Sequence, residues 1–129
     1  MEDEEKRKNF DVMAFLGRNG KQQRWPEMKS CAEALKKDFP KVGAIGYCYG
    51  GWACFQLGAD TGLIDAISVA HPSMLTKEEI DAVKVPVQIL SPEHDPMYSA
   101  ELKEHSNKII PTLNVPYEYV YFPGVSKVS

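Results

Sequence analysis

The chain has 129 residues, 43% of them hydrophobic and 26% charged, the composition of an ordinary globular protein, and its length sets an expectation of one domain. A formal net charge of -3, a pI near 5.6 and an even spread of Lys and Arg exclude the basic footprint that nucleic acid or an anionic membrane surface requires, so the expected partner is a small molecule or a protein. No apolar run approaches the roughly 18 residues of a membrane helix, and the opening residues 1–8 are too charged for the apolar region of a signal peptide. Three cysteines, Cys31, Cys48 and Cys54, lack C-x-x-C spacing and fit neither a disulfide framework nor a zinc site; a reducing, cytoplasmic setting is expected.

Residues 2–8 are nearly all charged, and Phe10, Val12, Met13, Phe15 and Leu16 then supply an apolar stripe for a helix ending near Gly17 or Gly20. Residues 1–24 are read as a charged extension, helical or partly disordered, and residues 25–129 as the domain. Pro26 suits the first turn of a second helix, in which Met28, Cys31, Ala32, Leu35 and Phe39 recur at three- and four-residue spacing before Pro40 stops it. Residues 41–47 form a short apolar run with two glycines, consistent with a buried parallel strand. A helix over 49–57, a strand over 64–70, a short helix over 76–83, a strand over 85–91 and a helix over 101–110 follow. Pro111 and Asn114-Val115-Pro116 break the last helix, and residues 117–122 alternate as a strand of strong β formers.

This alternation predicts an α/β fold, a mostly parallel sheet of about four strands with helices on its faces and right-handed crossovers. A buried strand over 41–47 should have neighbours on both sides, and only later segments are available to provide them. The sheet is therefore expected to be truncated at its amino-terminal side, with an exposed edge open to self-association.

The sharpest local signal is Gly46-Tyr47-Cys48-Tyr49-Gly50-Gly51, a G-x-nucleophile-x-G pattern between an apolar strand and an apolar helix. A nucleophile on so tight a turn needs small residues on either side, because strand and helix approach closely there. The helix that follows presents free N–H groups able to bind an oxyanion, the amide of Tyr49 first. The bland alternative is a glycine-rich turn with Cys48 as a small buried hydrophobe. A Rossmann-type nucleotide module is disfavoured, since the turn lacks G-x-G-x-x-G spacing.

Taken with Val69-Ala70-His71-Pro72-Ser73, Pro92-Glu93-His94-Asp95-Pro96-Met97 and Tyr121-Phe122-Pro123-Gly124-Val125, the elbow motif resembles the dienelactone hydrolase family of α/β-hydrolases in order and spacing. The resemblance covers about residues 25–126 and is read as the carboxyl-terminal half of a family member. It implies hydrolysis of a small-molecule ester or lactone through an acyl-enzyme on Cys48, with Asp95 as the triad acid and no metal or organic cofactor. The family's x-H-G-F histidine would fall at position 127, where this chain has Lys127. A protonated lysine is a poor base at neutral pH, and the early strands that supply a second oxyanion donor are not recognisable. The resemblance therefore implies an impaired hydrolase or, alternatively, a non-catalytic shortened isoform or relic serving as an interaction module.

His71 and Lys127 are the candidate substitutes for the missing base. For His71 the competing role is support of the elbow through loop hydrogen bonds. His94 and His105 read as structural or solvated, and Cys31 and Cys54 as packing residues. Tyr49, Trp52 and Phe55 read as core before acyl pocket. Arg18, Lys21 and Arg24 read as a solvated face before a carboxylate site.

Overall fold

The computed structural model describes residues 21–126, so the expected helix near residues 10–16, most of the proposed extension and Lys127 lie outside the described residues. The first described element, α1, is Lys21–Asp38. It carries Pro26 in its second turn, which corrects the expected start at Pro26; the missing N–H of proline removes one bond near the helix start and leaves the remainder intact. β1 (Gly43–Tyr47), α2 (Tyr49–Gly58), β2 (Ala66–Ala70), α3 (Lys77–Asp81), β3 (Val87–His94), α4 (Ala100–Ile109) and β4 (Tyr117–Ser126) follow, with a 3-10 turn at Ile110–Leu113 closing α4. Thr76 caps α3 in a reciprocal capping box with Glu79, and the Ser99 hydroxyl accepts from the N–H of Leu102 at the start of α4.

The four strands run parallel in the order β1-β2-β3-β4, each crossover carrying a helix. Residue alternation divides the sheet into two faces. On one, Ile67, Val69, Val87 and Ile89 are buried against Cys54 and Phe55 of α2, Ile80 of α3 and Ile110, with Tyr117 and Tyr119 of β4 packed at the margin. On the other, Ile45 is 73% exposed and Tyr47 64% exposed, and a ladder of side-chain bonds runs from Ser68 Oγ to Gln88 Oε1 and from Gln88 Nε2 to Glu118 Oε1. The described helices thus pack on one face, whereas helices on both were expected. Among the described residues β1 is an edge strand, with no strand paired on its second side.

β3 and β4 extend past their expected ends. They remain paired through Pro92↔Phe122 and, after an irregularity, His94↔Ser126. Sheet and helices fill the described stretch from Lys21 to Ser126, which corrects the reading of the fold as a truncated remnant. Because the strands are parallel, Cys48, His71 and Asp95 all fall at the carboxyl edge of the sheet, following or ending β1, β2 and β3 respectively, where open α/β sheets bind ligands.

Candidate functional site

Cys48 joins β1 to α2 at φ 52° and ψ -116°, a backbone state that costs a side-chain-bearing residue on the order of 1–3 kcal/mol and persists only where neighbours impose it. Those neighbours are identifiable. A Cβ at Gly46 would lie 2.1 Å from the carbonyl oxygen of Gly50, and one at Gly51 would lie 2.6 Å from Pro72 Cβ. Strand, helix and the segment after β2 therefore meet at backbone distance. The Cys48 N–H donates to the Ala70 carbonyl (3.2 Å), and the Cys48 carbonyl accepts from Gly51 (3.0 Å) and Ser73 (2.9 Å). At Gly50 an added Cβ meets nothing within 4 Å, so the glycines that steric contact demands are Gly46 and Gly51.

His71 is held the same way. It adopts φ 38°, its N–H donates to the Leu90 carbonyl at 3.0 Å, and Met74 three residues later has φ 60°. This kinked segment brings His71 Nδ1 to 3.0 Å from Cys48 Sγ, and the ring centroids of Tyr47 and His71 lie 6.1 Å apart. With the imidazole proton on Nε2, Nδ1 accepts from the thiol. Thiol and imidazole are partly exposed at this edge. Tyr49 is the first residue of α2, where backbone N–H groups lack intrahelical acceptors.

Asp95 is buried just beyond β3, and its Oδ1 accepts from the N–H groups of Met97 (2.9 Å) and Tyr98 (3.1 Å). Among the described residues, Cys48, His71 and Asp95 do not make a hydrogen-bonded triad: the sulfur–imidazole contact is present, and the Asp95 bonds just given shape its own turn. Lys103 Nζ donates to the carbonyls of Pro92 (2.6 Å) and Glu93 (3.0 Å), while Glu93 Oε1 accepts from the Gly124 N–H, a bond that holds the Glu93 carboxyl below the usual carboxylate range. The ends of β3 and β4 are fixed together beside the site.

The remaining residues resolve into structural roles. Trp52 and Phe55 are core, and Glu79 Oε2 accepts from both Trp52 Nε1 and the Gln56 side chain, tying α2 to α3. Burial pushes the Cys54 thiol up to about 11, so it remains protonated and packs as an apolar group. Cys31 is exposed, correcting its assignment to packing. His105 Nε2 lies 2.7 Å from Asp81 Oδ1, His94 is exposed beside Glu93, and Arg24 pairs with Glu27 one turn away. Arg18 and the Lys21 side chain lie outside the described residues. Sequence reasoning found the strand-to-helix turn at Cys48; it missed the Pro72–Ser73 clamp and the glycine role of position 51. No helix among the described residues is long and apolar enough to cross a membrane.

A model of the dienelactone hydrolase family matches residues 1–127. Among curated relatives, the hydrolase pyvD of Aspergillus violaceofuscus is 32% identical over 119 residues, covering 91% of this chain and 48% of its own length. The hydrolase tropI of Talaromyces stipitatus is 29% identical over 103 residues, covering 78% of this chain and 40% of its own length. The chain thus spans about half the length of the curated relatives it matches. A solved dienelactone hydrolase-like promiscuous phosphotriesterase from metagenomic libraries superimposes with a TM-score of 0.71 at 22% identity, over 91% of this chain and 54% of that one, which shows a shared fold.

The match from residue 1 to residue 127 corrects the expectation that the likeness is confined to a carboxyl-terminal half beginning near residue 25. It also removes the basis for reading the chain as weak or inactive through truncation, or as a non-catalytic relic: the likeness runs along nearly the whole chain, and the sheet and its helices fill the described residues. A complete cysteine triad is likewise not what the described residues present.

Proposed function

The chain belongs to the dienelactone hydrolase family, and from that premise we propose that it hydrolyses a small organic ester or lactone, with Cys48 as the attacking group and His71 as its proton acceptor. The observation that carries this reading is the 3.0 Å contact between Cys48 Sγ and His71 Nδ1, made at the carboxyl edge of the sheet by two residues held at positive φ. Strain of this kind, retained at two adjoining positions, is characteristic of functional sites.

In this scheme the thiol proton passes to His71 Nδ1 as sulfur bonds to the carbonyl carbon, and the oxyanion is received by the Tyr49 N–H and its neighbours at the start of α2. Collapse of the tetrahedral adduct breaks the carbon–oxygen bond and leaves an acyl-thioester; His71 returns the proton to the departing alcohol. Water then attacks the thioester with His71 accepting its proton, and the acid leaves as the thiol is restored. Asp95 is assigned a positioning role through the turn that ends β3. Lys127 is the alternative group for the proton transfer, two residues past the Val125 that follows β4's Gly124.

The test is hydrolysis of an activated aryl ester by wild type, Cys48→Ala and His71→Gln. The expected outcome is turnover by wild type, none above background for Cys48→Ala, and a loss of roughly 100- to 10,000-fold for His71→Gln, the usual worth of a positioned proton acceptor. Equal rates for wild type and Cys48→Ala would overturn the proposal. Wild-type rates for His71→Gln together with a large loss in Lys127→Ala would transfer the base role to Lys127.

Two further readings belong with this one. Three cysteines without a disulfide among them fit a reducing, cytoplasmic setting. The edge strand β1, with Ile45 and Tyr47 turned outward, is proposed as a surface for self-association.

A further inference from the structure

Beside His71 lies a cavity of about 390 Å³, lined by Ala70, Leu90, Pro92, Phe122 and Val125, with Ser126 at its margin. Its walls follow from the strand register. Ala70 and Leu90 are paired neighbours that point away from the core, and Phe122 pairs with Pro92 where β3 and β4 run on together. His71 is the shared wall: one ring nitrogen contacts the Cys48 sulfur, and the ring borders the cavity. The volume falls within the range of small-molecule sites, roughly 300–1,000 Å³. No Lys, Arg, Asp or Glu lines it among the described residues.

We infer that this cavity receives the apolar part of the substrate, an aromatic ring or short alkyl chain of the acyl group. The inference rests on Cys48 and His71 as the reacting pair. Because His71 touches the sulfur and borders the cavity, the cavity is apolar space adjoining an acyl group carried on Cys48. An apolar group entering there leaves water for the side chains of Ala70, Leu90, Pro92, Phe122 and Val125.

Two measurements test this, one kinetic and one independent of turnover. The aryl esters of 3-phenylpropionate and acetate are compared on wild type and on Ala70→Phe, whose ring fills the cavity. Wild type should prefer the phenylpropionyl to the acetyl ester by at least about 10-fold in kcat/KM, the discrimination expected of a hydrophobic pocket. Ala70→Phe should reduce the phenylpropionyl-to-acetyl ratio by at least about 10-fold. Preference for the acetyl ester, or an unchanged ratio in folded Ala70→Phe, overturns the inference.

The second measurement titrates the neutral, non-hydrolysable 4-phenylbutan-2-one into wild type and follows backbone amide resonances. Shifts at Ala70, Leu90 and Phe122 support the cavity, even in a preparation that hydrolyses none of the esters, in which case only the hydrolase reading fails. Hydrolysis of the esters with the ketone shifting amides elsewhere overturns the cavity while leaving Cys48 and His71 as the reacting pair.

Discussion

Gly46 and Gly50 flank Cys48 symmetrically in sequence and differ completely in what surrounds them. A methyl group at Gly46 meets two backbone atoms of Gly50 at 2.1 and 2.3 Å and the Cys54 sulfur at 2.9 Å; backbone cannot step aside as a flexible side chain can. Gly46→Ala is therefore expected to lose at least about 1–3 kcal/mol of stability, the usual cost of overpacking. Gly50→Ala, on a helix with open space around the new atom, should be neutral or gain up to about 1 kcal/mol from lower backbone entropy. Denaturant melts of the two variants check the contrast, and equal stabilities would show that the turn is not packed as described. The tight strand-to-helix turn at Cys48 is legible in the sequence because glycines flank the cysteine. The placement of His71 was not: it depends on a positive φ at a residue that can adopt other conformations and is fixed by a hydrogen bond to Leu90, nineteen positions away. The motif after the second strand singles out His71 among the three histidines as a candidate, but not its contact with the thiol, which the kinked backbone makes.

At the scale of elements, Asp65 joins the end of α1 to the start of β2. Its Oδ2 accepts from Lys36 Nζ and from the Val42 N–H (2.8 Å), and its own N–H donates to the Val42 carbonyl (2.8 Å). The Lys36 bond, followed by the Val42 bond, holds the carboxyl below the usual carboxylate range. A depressed folded-state pKa contributes stability above the unfolded value of about 3.9 and loses it as pH falls through the folded value. Asp65→Asn should accordingly be less stable than wild type at neutral pH, with the gap closing below about pH 4. Parallel thermal melts from pH 3 to 7 measure this, and a gap independent of pH would contradict it. Thr76→Ala removes a helix cap and should cost about 1 kcal/mol at all these pH values. The order and type of the elements from β1 to β4 were readable from apolar periodicity and Ser/Thr-led helix starts. Their boundaries were not readable where proline intervened. Pro26 reads locally as a helix start, whereas the turns on either side of it carry the helix through. The extension of β3 and β4 through Pro92 and Pro123 depends on pairing between strands that no local pattern announces.

For the molecule as a whole, the consequential feature is a parallel sheet with its described helices on one face. The opposite face combines the Ser68–Gln88–Glu118 ladder with exposed Ile45 and Tyr47 on the edge strand. Runs such as residues 41–47 are apolar throughout and so predict helices on both faces, because periodicity does not reveal which side of an apolar strand is covered. Sedimentation velocity should show association that grows with protein concentration and weakens in Ile45→Lys, since charge on an edge strand opposes edge pairing. A single monomeric boundary at every concentration would refute self-association through this edge. The family assignment and the carboxyl-edge location of the site do not depend on that outcome, because both follow from the strand order and the match over residues 1–127.

The chemistry proposed at that edge is tested most directly by intact-mass and peptide analysis after rapid acid quench of the protein with an activated aryl ester. The expected result is one added acyl group, located on the peptide carrying Cys48, that accumulates in wild type within the first turnover, forms far more slowly in His71→Gln and is absent in Cys48→Ala. Turnover with no acyl group on Cys48 at any quench time, or the same acylation in Cys48→Ala, would contradict the assignment of Cys48 as the attacking group.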